Sequence, residues 1–548
     1  MSAGPTIIRR VLYGDRLVQC YDDCPQNLDR MLAQVAARRG AAPAVSDERC
    51  VLSYDDMQAR LGGLAAGLAA QGIRPGERVV VFAGNGVDFV VALFAIWRAG
   101  AIAVPIGIRQ TAAELTFMLN QCGASAVLFD AGLAPQLPAP DAVPTVRLWA
   151  AIDDGTPLPE GAPPATLALD DLCRHPALTK APQTDAQDVA CIMYTSGTTC
   201  RPKGAMLPHL AFYHTSRNYI LRFGYRPDDR MLLVIPGTHI SGLLAAIMVT
   251  MLIGGCVVCR RQFRAAEVLD VIEAEAITAA IMVPAMYNLL LLEPDLRAHD
   301  LSAWRIGHFG GAAMAEVTIE RLAQVLPGLS LYNGFGSTET TSAVTLTKAL
   351  TVDDPLDTVG TILPCVDIRI MDEAGREVAP GEAGELWIQG PGNAVGYWDN
   401  PEATRAGFVG GYWRSGDIGS VDATGHVRVF DRIKDMINRG GYKVFCVELE
   451  NVAQAFPGVV EAAAVASPCP VLGERVHLFL HARTPIDEAA LRDHCRAHLA
   501  DYKTPDFITQ LPEPLPRNLN GKLSKAPLRE AARDAAAQRE ATPQRKEA

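Results

Sequence analysis

From Tyr54 onward, the chain alternates between two hydrophobic patterns. The segment YDDMQARLGGLAAGLAAQG has apolar residues at helical spacing, and ERVVVFAG after it is a short apolar run typical of a buried strand. The segments FVVALFAIWRAG and AIAVPI repeat this pair, and so do AELTFMLNQCG and ASAVLFD. The alternation predicts an α/β fold in which helices cover both faces of mainly parallel sheets.

The pattern changes in the last third of the chain. From Gly381, the segments GELWIQGPG, GGYWRSGD and GHVRVFDRIKD predict short strands separated by glycines, and therefore a small β-rich subdomain. After Lys434, helical and strand patterns mix in KVFCVELENVAQAF, VEAAAVAS, VHLFLHAR and EAALRDHCRAHLA, which predicts a compact α+β unit. A chain of 548 residues is too long for one hydrophobic core, so two or more domains are expected.

Three segments need separate interpretation. The Pro- and Asp-rich stretch from Leu133 to Asp185 is expected to run over the surface, and the residues from about Ala532 lack an apolar stripe and are expected to fray. Ile240 to Cys259 has no charged residue over twenty positions, the length of a membrane span. Gly254 and Gly255 interrupt it, which favours a helix, a glycine stop and a buried strand.

Composition narrows the function classes. The net charge of −11 argues against nucleic acid as a partner, because binding to phosphate backbones needs a basic surface. The N-terminus MSAGPTIIRR lacks the apolar core of a secretory signal, so the expected compartment is the cytoplasm and the 13 cysteines are expected to be reduced thiols. Cys256 and Cys259 would face opposite sides of a strand, and HCRAH lacks the glutamate of a zinc-protease helix, so neither motif predicts a metal site.

The segment YTSGTTCRPKGAML, Tyr194 to Leu207, concentrates hydroxyl groups, glycines and a lysine in one short run. Such a run is often a solvent-exposed loop, but the apolar strand VACIMY before it and Lys203 within it favour a loop that binds phosphate. The spacing does not match a P-loop, because no Gly-Lys-Ser/Thr tripeptide follows Gly197 at the required distance.

Four further stretches combine glycines with chemically active side chains: HFGGAAM (308–314), YNGFGSTET (332–340), YWRSGD (412–417) and NLNGKLSKAPLR (518–529). Together with the hydroxyl-rich loop, in this order, they resemble the adenylate-forming superfamily of acyl-CoA synthetases, peptide-synthetase adenylation domains and luciferases. The resemblance extends from LSYDDM to APLRE, and five ordered motifs make it far more specific than any one of them.

The resemblance implies a two-step reaction. A carboxylate attacks the α-phosphorus of Mg-ATP and releases pyrophosphate, and a thiol then displaces AMP from the acyl-adenylate to give a thioester. ATP, Mg²⁺ and coenzyme A are the implied cofactor and co-substrates. Both reactants of the first step are anions, so cations and aligned hydrogen-bond donors are needed to bring them together.

The resemblance also implies a role for each matching residue. Glu339 would hold Mg²⁺, Thr338 would contact the α-phosphate, and Lys522 would bridge the carboxylate and the α-phosphate. Asp417, helped by Arg432, would accept the ribose hydroxyls. The β- and γ-phosphates would be wrapped by Thr195, Ser196, Gly197, Thr198, Thr199 and Lys203, and the base pocket would be formed by Gly310, Gly311, Ala312, Asn333, Gly334, Phe335 and Gly336.

Members of this superfamily rotate their C-terminal domain between the two steps. Lys434 falls at the position of their hinge, which implies an N-terminal adenylation domain over 1–433, with the β-rich subdomain at about 350–433, and a mobile C-terminal domain over 434–548. Gly440 and Gly441 would line the channel for the thiol arm of coenzyme A. One residue departs from the pattern: Cys200 stands in the bend of the phosphate loop, where the superfamily usually has glycine, and a positive φ there would be strained.

The acid is less well defined. His239 in PGTHISGL takes the place of an aromatic or histidine beside the acyl pocket, and no aspartate lies near it to pair with the ammonium of an amino acid. The remaining wall implied by the resemblance is mostly apolar, which suits an aliphatic or aromatic carboxylate; it consists of Ile240, Ser241, Met282, Pro284, Tyr287 and Gly334.

The leading hypothesis is therefore an ATP-dependent acid:CoA ligase. A ligase that loads the pantetheine arm of a carrier protein, as fatty-acyl-AMP ligases do, is the alternative within enzymes, and a non-catalytic nucleotide-binding protein is the alternative outside them. The sequence leaves the oligomeric state open, with a homodimer among the options.

Overall fold

The computed structural model describes residues 6–178, 181–195, 201–312, 314, 316–351, 354–482, 484–517 and 523–541. Its strands are β1 (Ile7–Leu12), β2 (Arg16–Tyr21), β3 (Pro43–Ser46), β4 (Val51–Ser53), β5 (Arg78–Phe82), β6 (Ile102–Pro105), β7 (Ala124–Asp130), β8 (Leu148–Ile152), β9 (Leu167–Ala168), β10 (Val189–Thr195), β11 (Lys203–Pro208), β12 (Arg230–Leu233), β13 (Cys256–Cys259), β14 (Ala279–Met282), β15 (Ile306–Gly310), β16 (Ser330–Ser337), β17 (Ser342–Leu346), β18 (Thr361–Ile362), β19 (Asp367–Met371), β20 (Gly384–Gln389), β21 (Phe408–Val409), β22 (Tyr412–Val421), β23 (Val427–Arg432), β24 (Ile437–Arg439), β25 (Tyr442–Val444), β26 (Val459–Cys469), β27 (Gly473–Ala482) and β28 (Phe507–Leu511).

The helices follow the same numbering rule. They are α1 (Leu28–Arg39), α2 (Tyr54–Ala70), α3 (Val87–Arg98), α4 (Ala112–Cys122), α5 (Leu169–Cys173), α6 (His209–Phe223), α7 (Val249–Ile253), α8 (Ala265–Ala274), α9 (Pro284–Leu291), α10 (Glu316–Val325), α11 (Pro401–Gly407), α12 (Cys446–Gln454), α13 (Glu488–His498) and α14 (Lys525–Ala541). A π-helical segment, Ser241–Met248, leads directly into α7.

Two large, mainly parallel sheets form the first part of the chain. One has the strand order β11-β10-β6-β5-β7-β8-β9, and the other has the order β18-β17-β16-β15-β14-β12-β13-β3-β4. Helices α1, α2, α3 and α6 and the π-helical segment contribute to a single hydrophobic core between them. The predicted α/β fold of helix-covered parallel sheets is therefore confirmed, since the alternating helix and strand patterns correspond to α2 through β7.

Local sequence signals fix where these helices begin and end. Ser53 starts α2 with a capping box, in which its side chain accepts a hydrogen bond from the backbone N–H of Asp56 and the Asp56 carboxylate accepts one from the backbone N–H of Ser53. Thr111 and Glu114 form the same box at α4, which ends at Gly123 with φ 59°. A cap of this kind stabilises a helix by about 1 kcal/mol.

The uncharged stretch from Ile240 forms a helix, a glycine stop and a strand, as predicted. Gly254 ends α7 with φ 85°, a conformation that glycine adopts without steric cost, and β13 follows. Cys256 and Cys259 pack in two different hydrophobic clusters, on opposite faces of β13. Within the described ranges, no helix is both long enough and apolar enough to cross a membrane.

Two smaller sheets follow. Strands β19 to β23 form the predicted β-rich subdomain, in the order β19-β20-β22-β21 with β23 beside β22. Strands β24 to β28 form a sheet in the order β25-β24-β27-β26 with β28 beside β27. Its core includes side chains from α12 and α13, and α14 packs on β26. This is the α+β unit that the sequence predicts after Lys434.

Two expectations about irregular segments are wrong. The stretch from Leu133 to Asp185 contains β8, which pairs in parallel with β7 and is largely buried, because its residues LWAAI are apolar despite their Pro- and Asp-rich surroundings. The chain beyond Ala532 continues α14 to Ala541 instead of fraying. Leu528, Ala532 and Ala536 form a narrow stripe at helical spacing that is buried in the structure.

Candidate active site

The hydroxyl-rich segment lies at the end of a β-hairpin. Strands β10 and β11 are antiparallel, and their last pair joins Thr195 to Lys203. Ser196, Gly197, Thr198, Thr199 and Cys200 connect this pair and lie outside the described residues. The paired strand ends hold both flanks of the loop in place, so Thr195 and Lys203 mark the position of the predicted phosphate site.

Glu339 is an acidic group that contacts this hairpin end. It lies in the short helical turn Thr338–Thr340 that follows β16, and its side chain is buried. Its carboxylate accepts hydrogen bonds from the hydroxyls of Thr195 (3.4 Å), Ser337 (2.9 Å) and Tyr397 (3.0 Å). The glutamate is therefore held against the hairpin by groups from three separate parts of the chain.

Tyr397 is a contact residue that the sequence reasoning missed. Its backbone segment lies beside β11: the N–H of Val395 donates to the carbonyl of Met206 (2.9 Å), and the N–H of Trp398 donates to that of Gly204 (2.7 Å). The Lys203 ammonium lies 5.4 Å from the centre of the Tyr397 ring, and the tyrosine hydroxyl binds Glu339. Tyr397 thus contacts both the lysine, through its ring, and the glutamate, through its hydroxyl.

Asp417 stands opposite this group in the β-rich subdomain. In the register of β22 and β23 it faces Arg432, whose guanidinium lies 3.1 Å from the carboxylate. Burial raises the pKa of Asp417 to about 6; Arg432 opposes this rise, and the negative charge of Glu339 adds to it. Two buried carboxylates therefore share one region, which suits a site that receives a cation or many hydrogen-bond donors.

Glycines allow close backbone contact between the neighbouring strands β15, β16 and β17. A Cβ atom at Gly310 would lie 2.7 Å from the carbonyl oxygen of Gly334, and one at Gly336 would lie 1.9 Å from that of Ser342. Gly311 has φ 77°, and Ala312 beside it is exposed. Phe335 lies between the two glycines of β16 and is partly buried against the core of the β-rich subdomain. The backbone N–H of Asn333 donates to Thr347 Oγ1 (2.8 Å).

The predicted acyl wall is only partly brought together. His239, Ile240 and Ser241 lie at the start of the π-helical segment, and Gly334 lies on β16. Met282 and Tyr287 instead pack in the core on the other face of the sheet, with Trp304 and Phe309, because residues alternate between faces along β14 and β15. Pro284 is the buried first residue of α9.

The C-terminal candidates are either exposed on the surface or outside the described residues. Lys522 falls in the segment 518–522, which the structure does not describe. Gly440 and Gly441 form the exposed turn between β24 and β25, with φ 60° and 92°. Lys434 is exposed between β23 and β24, where the β-rich sheet ends and the last sheet begins.

The residues around Glu339 fit Mg²⁺ only if oxygens of a bound polyphosphate complete its coordination. Within the described residues, no group of three or more His, Cys, Asp or Glu side chains could hold a metal ion. Glu339 provides one carboxylate with three hydroxyl groups around it. Magnesium is commonly bound through one or two carboxylates together with phosphate oxygens and water, so this set fits a Mg²⁺ that arrives with a polyphosphate.

Two family models match the chain. The model described as AMP-binding enzyme matches residues 32–398, and the model described as AMP-binding enzyme C-terminal domain matches residues 448–522. The hairpin, Glu339 and Tyr397 lie inside the first match. The second match ends at the position of Lys522.

Curated relatives and a solved structure are similar over almost the whole chain. A feruloyl-CoA synthase from Amycolatopsis sp. is 33% identical over 89% of this chain and 95% of its own length. A 3-[(3aS,4S,7aS)-7a-methyl-1,5-dioxo-octahydro-1H-inden-4-yl]propanoyl:CoA ligase from Mycobacterium tuberculosis is 35% identical over 92% of this chain and 98% of its own length. The fatty acid–[acyl-carrier-protein] ligase ScoC from Streptomyces coeruleorubidus is 32% identical over 90% of this chain and 94% of its own length. The ATP-bound MatB structure from Rhodopseudomonas palustris has a TM-score of 0.82 and 28% identity, covering 93% of this chain and all of MatB.

Proposed function

This chain belongs to the AMP-binding enzyme family, and from that membership and the cleft around Glu339 we propose an ATP-dependent acid:CoA ligase. It converts a carboxylic acid to an acyl-adenylate, releases pyrophosphate, and transfers the acyl group to coenzyme A. The observation that carries the proposal is a chain of contacts: Thr195 pairs with Lys203, the Lys203 ammonium lies over the Tyr397 ring, and the hydroxyls of Thr195 and Tyr397 both donate to Glu339. Residues far apart in the sequence thus supply a cation, hydroxyl donors and a carboxylate to one small region.

Each described group has a proposed task in the first step. The Lys203 ammonium neutralises the β- and γ-phosphates, so that less charge repels the incoming carboxylate. Asp417 accepts the ribose hydroxyls and fixes the nucleotide, which orients the α-phosphorus toward the acid. Glu339, positioned by Ser337 and Tyr397, would hold Mg²⁺ together with the phosphates, and the metal would supply further charge neutralisation at the phosphate oxygens.

The remaining assignments rest on the motif order. Thr338, directly before Glu339, would contact the α-phosphate, and Lys522 would bridge the carboxylate and the α-phosphate as a flexible point charge. The 1–433 and 434–548 division, with its hinge at Lys434, is proposed on the same basis. It is supported by the change of sheet between β23 and β24.

The test is acid-dependent exchange between ATP and labelled pyrophosphate, measured with a panel of aliphatic and aromatic acids. Glu339→Gln is expected to lower the exchange rate by on the order of 100-fold, because the cleft then loses its only proposed metal ligand. Glu402→Gln, on an exposed position of α11, is the matched control and should leave the rate within about twofold. Exchange that needs no acid, or that survives Glu339→Gln, would contradict the proposal.

A carrier protein is the alternative acceptor, favoured by the similarity to ScoC over most of both chains. Incubating the enzyme with ATP, Mg²⁺, an active acid and either coenzyme A or a phosphopantetheinylated carrier separates the two. Thioester on coenzyme A supports the leading proposal, and thioester on the carrier alone supports the alternative. The proposed compartment is the cytoplasm, because the cysteines in the described part of the chain are free thiols.

A further inference from the structure

His308 is a buried polar side chain that the proposed reaction does not use. It lies on β15, two residues before Gly310, and only 3% of its surface is exposed. Neither ring nitrogen has a hydrogen-bond partner among the residues that the structure describes. A buried donor or acceptor without a partner costs roughly 1–3 kcal/mol, so such a group usually marks a missing ligand or water.

The ring faces the cleft side of the sheet. Its neighbours there are Tyr219 and Phe223 of α6, with ring centres 5.3 Å away in each case. A Cβ atom at Gly334 would lie 2.7 Å from His308 Nε2, so the imidazole occupies the space that this glycine leaves open. Gly334 is part of the predicted acyl wall, and His308 therefore adds a polar atom to a wall that is mostly apolar.

Two more buried hydroxyls without a partner lie on α6 and in the turn after β16. Ser216 Oγ, on α6 one turn before Tyr219, is buried and has no hydrogen-bond partner in the described part of the chain. The same is true of Thr341 Oγ1, and the next residue, Ser342, binds the Tyr219 hydroxyl at 3.0 Å. Of these three side chains, His308 contacts Tyr219, and the other two are near neighbours in sequence of Tyr219 and of its partner Ser342.

Tyr332 pairs with His308 across β15 and β16 and packs on Phe223. It also lines a cavity of about 400 Å³ together with Asn218 and Arg222, but His308 itself is not part of that lining. Burial lowers the pKa of His308 to about 3, so at neutral pH the imidazole is uncharged and offers one donor and one acceptor. A neutral imidazole suits a neutral oxygen of a ligand and not a second carboxylate.

We propose that His308 recognises a keto or hydroxyl oxygen carried by the acid far from its carboxyl group, so that the substrate class is oxygenated acids and not plain hydrocarbon acids. This inference rests on the proposed function, which places the carboxylate near Thr338. Gly334 precedes Thr338 by four residues of extended chain, roughly 13 Å, which sets the recognised oxygen on the order of 10 Å from the carboxylate.

The test compares matched acids that differ by one oxygen: 4-hydroxycinnamate with cinnamate, and 8-hydroxyoctanoate with octanoate. We expect kcat/KM for pyrophosphate exchange to favour the oxygenated member of at least one pair by on the order of 100-fold, since a site that is built to bind an oxygen rejects the analogue without it. His308→Leu should abolish that preference by lowering the rate of the oxygenated acid alone. KM for ATP should stay unchanged.

A second measurement does not depend on turnover. Acyl-sulfamoyl adenosines made from the same acid pairs are titrated by calorimetry against the wild type, His308→Leu and His308→Gln. His308→Gln keeps a donor and an acceptor near the position of Nε2 and should retain part of the preference. His477→Leu is the matched control, because His477 is also buried but lies in the C-terminal sheet, stacked on Phe479 and bonded to Thr509, and its loss should leave acid preference unchanged.

The outcomes separate the inference from the proposed function. If both members of every pair react and bind equally well, or if His308→Leu keeps the preference, the inference is wrong while ligase activity stands. A crystal structure with the bound adenosine analogue in which His308 contacts ordered water only would also overturn it. If no acid supports exchange at all, the proposed function fails and this inference fails with it.

Discussion

At the scale of single residues, Asp417 gives the site a pH dependence. Its pKa is raised to about 6, mainly by burial, and in the proposed role only the ionised carboxylate could accept both ribose hydroxyls without giving up a lone pair to its own proton. We therefore expect affinity for ATP to fall as the pH drops through about 6. Asp417→Asn should weaken ATP binding at pH 8 by on the order of 10- to 100-fold and should remove the pH dependence, as measured by calorimetric titration between pH 5 and 8.

The raised pKa of Asp417 also makes protein stability depend on pH, in the direction opposite to that of ATP affinity. Because the folded state holds the Asp417 proton more tightly than the unfolded chain does, this group contributes stability below pH about 4, and the contribution is lost as the pH rises through about 6. The midpoint of thermal unfolding of Asp417→Asn should therefore fall less than that of the wild type between pH 4.5 and 6.5. An identical slope in both proteins would show that Asp417 titrates at its ordinary value.

A substitution at Gly336 is expected to disturb both the fold and the activity. A methyl group there would lie 1.9 Å from the carbonyl oxygen of Ser342, a contact that requires the bulge between β16 and β17 to open. Since Thr338 and Glu339 follow directly, Gly336→Ala should displace both and reduce pyrophosphate exchange by at least about 100-fold, together with a loss of about 1–3 kcal/mol in stability. Gly328→Ala is the control, because open space surrounds that position. Normal exchange by Gly336→Ala would mean that the bulge adapts at no cost.

The sequence identified the residues with unusual chemistry but not those that position them. Thr195, Lys203, Glu339 and Asp417 stand in glycine-rich motifs, and hydroxyls, cations and acids beside glycines are a recognisable signal. His308 begins the motif HFGGAAM, but the resemblance assigns a role only to the glycines and Ala312 of that motif, and Tyr397 lies in NAVGYWDN, outside all five motifs. Their relation to the site depends on which strands pair, and that is a property of the folded chain.

At the scale of elements, α14 shows how a weak pattern can be missed. Its buried stripe consists of Leu528, Ala532 and Ala536, so two of its three positions are alanines that transfer scales rate as barely apolar. The helix nevertheless forms, because alanine has the highest helix propensity and its small side chain lets the helix approach β26 closely.

This packing can be tested with a buried charge. Ala532→Glu places a carboxylate among Ala463, Val465 and Phe479, and we expect it to destabilise the C-terminal sheet by about 3 kcal/mol or more. Ala531→Glu, on the exposed face one residue earlier, should change stability by less than about 0.5 kcal/mol. The stability of both variants is measured by differential scanning calorimetry and by limited proteolysis. Equal behaviour of the two variants would mean that α14 does not pack on β26 in solution.

At the scale of the whole molecule, hydrophobic periodicity predicted the sheet-and-helix layers but not every strand. The parallel strands β5, β6 and β7 are continuous apolar runs between amphipathic helices, a combination that has few other interpretations. Strand β8 was not predicted, because it is short and its flanks are rich in proline and aspartate. Its burial is explained by its pairing with β7. The change of pattern after Lys434 predicts a separate α+β unit, but a hinge at Lys434 could be inferred only through the motif resemblance.

The contact across that division suggests how the two parts of the chain influence each other. Asp431, on β23 before Lys434, accepts a hydrogen bond from the backbone N–H of Cys446 at the start of α12 (2.6 Å). Burial raises the pKa of Asp431, while the buried ammonium of Lys525, which pairs with Glu450 at 2.7 Å, lowers it. If the C-terminal part rotates about Lys434, these contacts of Asp431 belong to one pose alone and stabilise it relative to the other.

Asp431→Ala should therefore shift the balance between poses without touching substrate. The half-reaction that is served by the pose in this structure should slow, and the other should accelerate, each by roughly 5- to 30-fold for a loss of 1–2 kcal/mol. Adenylation is measured by single-turnover pyrophosphate release, and thioester formation is measured from supplied acyl-adenylate and coenzyme A. Asp228→Ala, at an exposed site far from Lys434 in the sequence, is the control for surface charge. Because general damage to the fold would slow both steps together, opposite changes would identify Asp431 as a contact that selects one pose, and a parallel loss would refute that role.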